Sequence, residues 1–220
     1  MTSAHIMRIA SVSKEITDAG INLLVSNKKL SYQDRLFGPQ GLLEGDFKNT
    51  NNPEKARYLQ MVTIEHCMKH TAGQPWNNVC DDPAFRLNKL DRTQLLQWVI
   101  DNRPLKKRPG GQEYYSNIGY MFLGRVIEKV TQMEYIEFIK KYIMDPIGAT
   151  SFDIASDSKK DKKPMEVRYY SLEFSSSPYA IKVARADSAF GCLISPQDCV
   201  KFASHWMRPA SFFRGGINGT

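Results

Sequence analysis

The sequence predicts an α+β protein that is mostly helical. Apolar residues recur at helical spacing in several segments, whereas strand character is confined to residues 168–172. Capping residues and Pro/Gly-rich loops separate these segments, as expected at the ends of helices. The predicted helices cover residues 11–25, 63–73, 94–100, 119–130, 135–144 and 195–206.

The first half of the chain carries clear signals for where helices begin and end. Thr63 is placed to open the second helix, and Gly73 followed by Pro75 is a stop signal. Asp91 is a predicted N-cap for residues 94–100. These capping and stop signals support the helical assignment in addition to the apolar spacing.

The second half of the chain carries start and stop signals of the same kind. A Pro/Gly-rich loop at residues 103–111 precedes the strongly amphipathic segment 119–130, and Pro146 ends the next helix. Residues 153–164 are polar and are predicted to form a loop. Ser195 is predicted to start the last helix.

Composition excludes several classes of function. No apolar run reaches the roughly 18 residues that a membrane span requires, and residues 1–5 are too short and polar for a secretory signal. The four cysteines form no C-x-x-C pair, so reduced thiols are expected. The compartment is not identified by the residues themselves.

The net charge of +7 is concentrated in two runs, residues 106–108 and 159–163. No aromatic residues interleave with these cations, as a surface that stacks bases would require. We therefore expect no nucleic-acid partner, and the lack of a long apolar run predicts no membrane span.

Ser11 and Lys14 form the most informative pair in the chain. They lie three residues apart at the start of the first predicted helix, so both side chains share one face. A serine hydroxyl needs a neighbouring base to become nucleophilic, and a buried lysine has a lowered pKa that suits this task. The alternative interpretation is that Ser11 is only the helix N-cap.

The same spacing occurs twice more, at Ser26…Lys29 and Ser156…Lys159. Both of these pairs lie in polar stretches that are typical of solvated turns. The pair at Ser11 is instead followed by an apolar stripe at helical spacing, which favours a buried helix.

Tyr115 and Asn117 form a second candidate pair. They lie two residues apart between a Gly-rich turn and a helix. A tyrosine beside a lysine ammonium can shuttle protons, and an asparagine amide can hold both a lysine and a substrate carbonyl. The alternative is a half-buried tyrosine followed by a turn-forming asparagine.

Two other kinds of site deserve comparison. His66 and His70 have the i, i+4 spacing of metal ligands, with Cys67 and Cys80 nearby, but no spaced cysteine pair supports a zinc site. A Gly-x-Ser-x-Gly elbow is absent from the sequence, so an α/β-hydrolase is not favoured.

Taken together and in this order, the motifs resemble the serine β-lactamase and penicillin-binding protein superfamily, in particular its class C-like branch. Residues 7–14 resemble the nucleophile segment of that family. The other matching segments are residues 68–75 (an HTSG-like landmark), 109–120 (PG…YSNxGY), 142–150 (I..PLGMT) and 189–198 (AGGLVSTARD).

This resemblance implies the β-lactamase/transpeptidase-like fold and a serine hydrolase that forms a covalent acyl-enzyme with a small-molecule or peptide substrate. Ser11 would be the acylated nucleophile, with Lys14 and Tyr115 sharing proton transfer and Asn117 positioning substrate. The Ser11 N–H would be one oxyanion donor. No metal or other cofactor is implied.

The family's third motif, Lys/His-x-Gly, matches less well. Its best counterpart is the segment at Arg214, Gly215 and Gly216, where Phe213 occupies the position expected for lysine or histidine. Arg214 would supply the positive charge and Gly216 the second oxyanion donor. A non-catalytic homologue that acts as a scaffold or assembly protein is therefore the alternative function.

The family pattern also implies missing strands at both ends. We expect the 220 residues to form one incomplete domain, with residues 1–26 and 185–220 in an α/β subdomain and residues 27–184 in a mainly helical subdomain. The chain is expected to be a fragment, an incomplete gene model or a short isoform. Ile6, Ile9 and one face of the first helix would lose their cover, which favours self-association. Resemblance to eukaryotic members would imply a cytoplasmic or mitochondrial location.

Overall fold

The computed structural model describes residues 2–76, 81–170 and 177–207. Its strands are β1 (Met7–Arg8), β2 (Asp153–Ile154) and β3 (Cys192–Ile194). Its α-helices are α1 (Ser13–Ser26), α2 (Pro53–Ala56), α3 (Ile64–Met68), α4 (Pro83–Arg86), α5 (Arg92–Asn102), α6 (Asn117–Thr131), α7 (Tyr135–Ile139), α8 (Asp187–Phe190) and α9 (Pro196–Trp206). Short 3₁₀ turns and one π-helical segment link some of these elements.

The three strands form an antiparallel sheet in the order β1-β3-β2. Met7 pairs with Ile194, and Asp153 pairs with Leu193. All three residues of β3 are buried, as expected for the central strand. Since β1 is followed at once by the turn that leads into α1, the sheet fixes where α1 begins.

The helical part is organised around α1, α6 and α8, which pack against one another. The buried face of α6 runs from Asn117 to Ile127 and carries most of its apolar residues. Gly124 allows α6 to approach α8 closely, because a Cβ atom at that position would collide with the side chain of Ser188. The starts of α6 and α1 lie next to each other, since Lys14 of α1 donates to Asn117 of α6.

Most helix predictions from the sequence are confirmed. Thr63 caps α3 in a capping box with His66, and Asp91 caps α5 in the same way with Gln94. Ser195 caps α9 through the N–H of Asp198. Polar caps satisfy backbone donors that a helix cannot satisfy by itself, so they are reliable local signals.

Two predictions for the middle of the chain are wrong in part. Residues 153–164 are not all loop, because Asp153–Ile154 adds to β3 as a strand. Residues 168–170 are not a strand: the Tyr169 hydroxyl accepts the Arg8 N–H at 2.9 Å, which a neighbouring strand would otherwise bind. Residues 171 and 172 lie outside the described residues.

The segment 135–144 is helical as predicted, but its geometry changes along its length. The α-helix α7 ends at Ile139, and a π-helical segment, Lys140–Met144, follows it. A 3₁₀ turn, Asp145–Ile147, closes the segment before Gly148. A period count over so short an apolar stretch does not distinguish these helix types.

The expectation that Ile6 is uncovered is also wrong. Its side chain is only 7% exposed. Its N–H donates to the Met165 carbonyl and its own carbonyl accepts from the Val167 N–H, both at 3.0 Å. The segment around residue 166 thus covers this position, and Ile9 is partly buried against the core. Self-association stays a prediction.

Helices long and apolar enough to cross a membrane do not occur in the part of the chain that the structure describes.

Candidate active site

Ser11 lies in a 3₁₀ turn, Ala10–Val12, between β1 and α1. Ala10 has a φ of 45°, in the left-handed region that non-glycine residues seldom adopt. Such a conformation costs on the order of 1–3 kcal/mol and is frequent at functional sites. The turn leaves the Ser11 side chain exposed at the start of α1.

The N-cap interpretation of Ser11 is wrong. The cap residue of α1 is Val12, and no side chain caps this helix. Ser13 instead ties the turn together, because its Oγ donates to the Ala10 carbonyl at 2.6 Å and accepts the Cys192 N–H at 3.1 Å. The Ser11 hydroxyl is therefore available for other partners.

Lys14 is buried beneath Ser11, with 4% of its surface exposed. Its Nζ lies 2.8 Å from Asn117 Oδ1, 2.7 Å from the Ala189 carbonyl and 3.4 Å from Ser11 Oγ. Burial lowers the pKa of Lys14 from 10.5 to about 8, although the charges of Asp82 and Asp18 act in the opposite direction. About one tenth of Lys14 is then neutral at pH 7.

The three partners of Lys14 suit a base. A neutral amine has two N–H donors and one lone pair. The Asn117 and Ala189 oxygens can only accept, so they take the two donors. The lone pair is then left for the Ser11 hydroxyl, which is the arrangement that removes a proton from a nucleophile.

Tyr115 lies on the other side of Ser11. Its hydroxyl donates to Ser11 Oγ at 2.5 Å, and its ring centroid is 4.7 Å from Lys14 Nζ. Tyr115 is 41% exposed, so its side chain lies between the buried lysine and solvent. This position suits a group that carries protons to and from Ser11.

The loop that carries Tyr115 is held by α6 and by His70. Ser116 caps α6 by accepting the Gly119 N–H at 3.1 Å. The Ser116 N–H in turn donates to His70 Nδ1 at 3.1 Å, and the His70 and Tyr115 rings lie 4.6 Å apart. Burial lowers the pKa of His70, which keeps Nδ1 free to accept this bond.

Asn117 is buried and connects Lys14 to Asp82. Its Nδ2 donates to Asp82 Oδ2 at 2.7 Å, while its Oδ1 accepts from Lys14. The other oxygen of Asp82 caps α4 by accepting the Ala84 N–H at 2.8 Å. Sequence reasoning missed Asp82: the Asp-Pro pair at residues 82–83 signals a helix start, but nothing local signals a contact with Asn117.

A second carboxyl, Asp18, was also missed. It lies one turn after Lys14 on α1, and the Tyr120 hydroxyl is 3.0 Å from its Oδ2. Burial raises the pKa of Asp18 to about 7. A polar residue within the apolar pattern of α1 is by itself only a weak indication of a functional group. The i, i+4 spacing of Asp18 from Lys14 would have made that indication stronger.

The other sequence candidates have different environments. Arg214, Gly215 and Gly216 lie outside the described residues, so their assignment stays a prediction. The two histidines of the zinc hypothesis have separate partners: His66 Nδ1 accepts the Thr63 N–H and His70 Nδ1 accepts the Ser116 N–H. Cys80 also lies outside the described residues.

The two further Ser-x-x-Lys matches begin at the last residue of α1 and in the loop that follows β2. Ser26 Oγ donates to the Leu23 carbonyl at 2.8 Å, and Ser156 Oγ donates to the Ser158 carbonyl at 3.2 Å. In both pairs the serine hydroxyl donates to a nearby backbone carbonyl, and the lysine is exposed rather than buried as Lys14 is.

A sequence model of the beta-lactamase family matches residues 1–214, so this chain belongs to the beta-lactamase family. This match confirms the resemblance drawn from the sequence motifs. Penicillin-binding protein 4* of Bacillus subtilis is 30% identical over 150 residues, which are 65% of this chain and 29% of the relative. A putative D-alanyl-D-alanine carboxypeptidase of Escherichia coli O157:H7 is 25% identical over 225 residues, covering 99% of this chain and 47% of the relative.

Solved structures show the same fold. The D-amino acid amidase of Ochrobactrum anthropi SV3 superposes with a TM-score of 0.69 at 20% identity, over 92% of this chain and 56% of that one. The octameric penicillin-binding protein homologue of Pyrococcus abyssi gives a TM-score of 0.66 at 23% identity, over 91% and 44%. The β-lactamase/transpeptidase-like α+β fold is therefore confirmed, and the chain spans only part of the length of these relatives.

Proposed function

We propose that this chain carries the nucleophile and proton-transfer groups of a serine acyl hydrolase in which Ser11 forms an acyl-enzyme. The observation that carries the proposal is the position of Ser11 Oγ, 2.5 Å from the Tyr115 hydroxyl and 3.4 Å from Lys14 Nζ. The other two bonds of Lys14 go to oxygens that only accept.

In the acylation step, Ser11 Oγ attacks the carbonyl carbon of the substrate while its proton passes to neutral Lys14. The tetrahedral intermediate collapses, the bond to the leaving group breaks, and the Lys14 proton passes to the leaving group through the Tyr115 hydroxyl, which leaves Lys14 neutral again. In deacylation a water molecule attacks the ester, Tyr115 takes its proton and passes one to Lys14, and Lys14 returns a proton to Ser11 Oγ as the ester bond breaks. Each step conserves protons within the three side chains and the reactants.

Asn117 and Asp82 support this chemistry by fixing Lys14. The Asn117 amide is held by two bonds to buried partners, at 2.8 Å and 2.7 Å, so its oxygen stays aimed at Lys14 Nζ. The Asp82 carboxylate favours the ammonium that forms when Ser11 loses its proton. Preorganised charges of this kind lower the barrier without reorganisation during the reaction.

The oxyanion that forms on the substrate is stabilised only if hydrogen-bond donors face it. The Ser11 N–H is the first expected donor. The segment of Arg214, Gly215 and Gly216 is the expected source of the second donor and of a positive charge for a substrate carboxylate. Both roles rest on the family pattern.

The substrate class is an acyl compound with a carbonyl open to attack: a β-lactam, a D-amino-acid peptide or amide, or a small ester. The names of the relatives favour the first two classes. A non-catalytic scaffold role gains no support from these relatives.

The test is labelling with a fluorescent penicillin and with a fluorophosphonate. Ser26→Ala is the matched control, since Ser26 lies at the other end of α1 and heads a second Ser-x-x-Lys match. We expect the wild-type chain and Ser26→Ala to be labelled at equal rates and Ser11→Ala to remain unlabelled. Equal labelling of Ser11→Ala and wild type would disprove the assignment of Ser11.

A further inference from the structure

Asp18 and Lys14 lie on one face of α1, and Tyr120 of α6 lies between them. Lys14 Nζ is 5.4 Å from the centroid of the Tyr120 ring, and the hydroxyl of that ring is 3.0 Å from Asp18 Oδ2. The proposed base of Ser11 is thus coupled to a second titratable group that the mechanism above does not use.

The hydrogen bonds around Tyr120 allow two arrangements of protons. The Tyr120 hydroxyl has one proton but two neighbouring acceptors, Asp18 Oδ2 at 3.0 Å and the Met68 carbonyl at 3.2 Å. If Asp18 is protonated, it donates to Tyr120 and Tyr120 donates to Met68. If Asp18 is ionised, Tyr120 donates to Asp18 and the Met68 carbonyl loses this donor.

The surroundings of Asp18 favour the protonated form. Its Oδ1 is buried and accepts no hydrogen bond from the described residues, and an unpaired buried charge is costly. Burial accordingly raises the pKa of Asp18 to about 7, so the carboxyl titrates near neutral pH.

The charged and titratable groups that face this network are few. On α1 they are Lys14 and Glu15, on α6 the group is Tyr120, and on α3 it is Cys67. Asp82 and Cys192 act on Lys14 from other elements. The His70 ring lies 5.3 Å from the Tyr120 ring. From α9, the neighbours are the apolar side chains of Phe202 and Trp206, which line a pocket of about 200 Å³ beside Asp18.

We propose that Asp18 is a positioning residue that sets the fraction of neutral Lys14 by gaining or losing a proton at its own carboxyl. This inference rests on the proposed function of Lys14 as the base. When Asp18 is protonated, it adds no charge and Lys14 gives up its proton more readily. When Asp18 is ionised, its negative charge holds Lys14 as the ammonium.

The consequence is that Lys14 loses its proton at a higher pH than it would if residue 18 carried no charge. As pH rises through the range where Asp18 ionises, the new charge opposes the loss of the Lys14 proton. Asp18→Asn imitates the protonated carboxyl, because the amide also donates to Tyr120 while Tyr120 donates to Met68. We therefore expect Asp18→Asn to lower the pKa of Lys14 by about one unit, as removal of a nearby opposite charge does.

The experiment measures the rate of Ser11 labelling by a fluorophosphonate from pH 5.5 to 9.5. In a plot of labelling rate against pH, Asp18→Asn is expected to move the rising limb about one pH unit lower. The labelling rate at pH 7 should then increase several-fold. Glu137→Gln is the matched control, since it removes an exposed carboxylate of α7 that does not face Asp18 and should leave the limb in place. Tyr120→Phe removes the hydroxyl and should move the limb in the same direction as Asp18→Asn.

A second readout does not depend on activity. The Lys14 Cε and Asp18 Cγ signals are followed by ¹³C NMR as pH is varied, in wild type, Asp18→Asn and Glu137→Gln. Coupled titrations in wild type and a lowered Lys14 midpoint in Asp18→Asn support the inference. Identical Lys14 midpoints in all three proteins overturn it. Failure of wild-type labelling at every pH, with the NMR coupling intact, overturns the proposed function instead.

Discussion

Replacing Lys14 with methionine should change how stability depends on pH. Burial lowers the pKa of Lys14 from 10.5 to about 8, so the folded protein releases this proton at lower pH than the unfolded chain. Between about pH 8 and 10.5 the unfolded state therefore binds more protons, and the free energy of unfolding must rise with pH. Below pH 8 both states hold the proton and this contribution is constant.

The magnitude follows from the two pKa values. Their difference is 10.5 − 8 = 2.5 units, and each unit corresponds to about 1.4 kcal/mol. Lys14 should contribute a rise of about 3 kcal/mol across that range. Lys14→Met lacks the group and should lack the rise, although it also leaves the Asn117 and Ala189 oxygens without a donor at every pH.

The assay is urea denaturation followed by far-ultraviolet circular dichroism at intervals between pH 7.5 and 10.5. The quantity of interest is the stability of wild type minus that of Lys14→Met at each pH, which cancels the other titrating groups. Lys159→Met, which removes an exposed lysine, is the matched control and should give a constant difference. A constant difference for Lys14→Met as well would refute the claim that burial sets the protonation of this lysine.

Three further predictions follow from the contacts of the site. Tyr115→Phe removes the hydroxyl that donates to Ser11, so stopped-flow labelling should show a loss of about 100-fold in acylation rate. Its thermal stability should stay close to that of wild type, because Tyr115 is 41% exposed. His70 has a lowered pKa, so the unfolded chain binds its proton first and stability should fall as pH drops below about 6.5; His70→Gln should show a shallower fall in urea titrations. Arg8 lies 4.6 Å from the centroids of both Tyr169 and Tyr179, so Arg8→Ala should lower the free energy of unfolding by about 2 kcal/mol or more, and Arg8→Lys should lower it less.

The sequence predicts the helices well because their signals are local. Thr63, Asp91 and Ser195 each cap a helix within three residues of the group that they bind. Strands lack such signals here: Asp153–Ile154 becomes a strand only because β3, nearly 40 residues later, provides the partner. A two-residue strand shows no alternation that a sequence pattern can detect.

The candidate site shows the same division. Ser11 and Lys14 share a helix, so their proximity follows from helical geometry. That Tyr115 meets Ser11 across 104 residues was accessible only through the resemblance to a family. Asp82 lies behind Asn117 as a partner that neither spacing nor motif indicates, because buried polar groups choose partners through tertiary packing.

The most direct test of the central claim is to locate the acyl group on the chain. The protein is incubated with a β-lactam, which acylates serine, or with a fluorophosphonate, which phosphonylates it, and intact mass and peptide mapping by tandem mass spectrometry identify the modified residue. The account predicts one adduct per chain, on the peptide that contains Ser11, and none in Ser11→Ala. An adduct on Ser26, Ser156 or Tyr115, or an adduct that persists in Ser11→Ala, would contradict it.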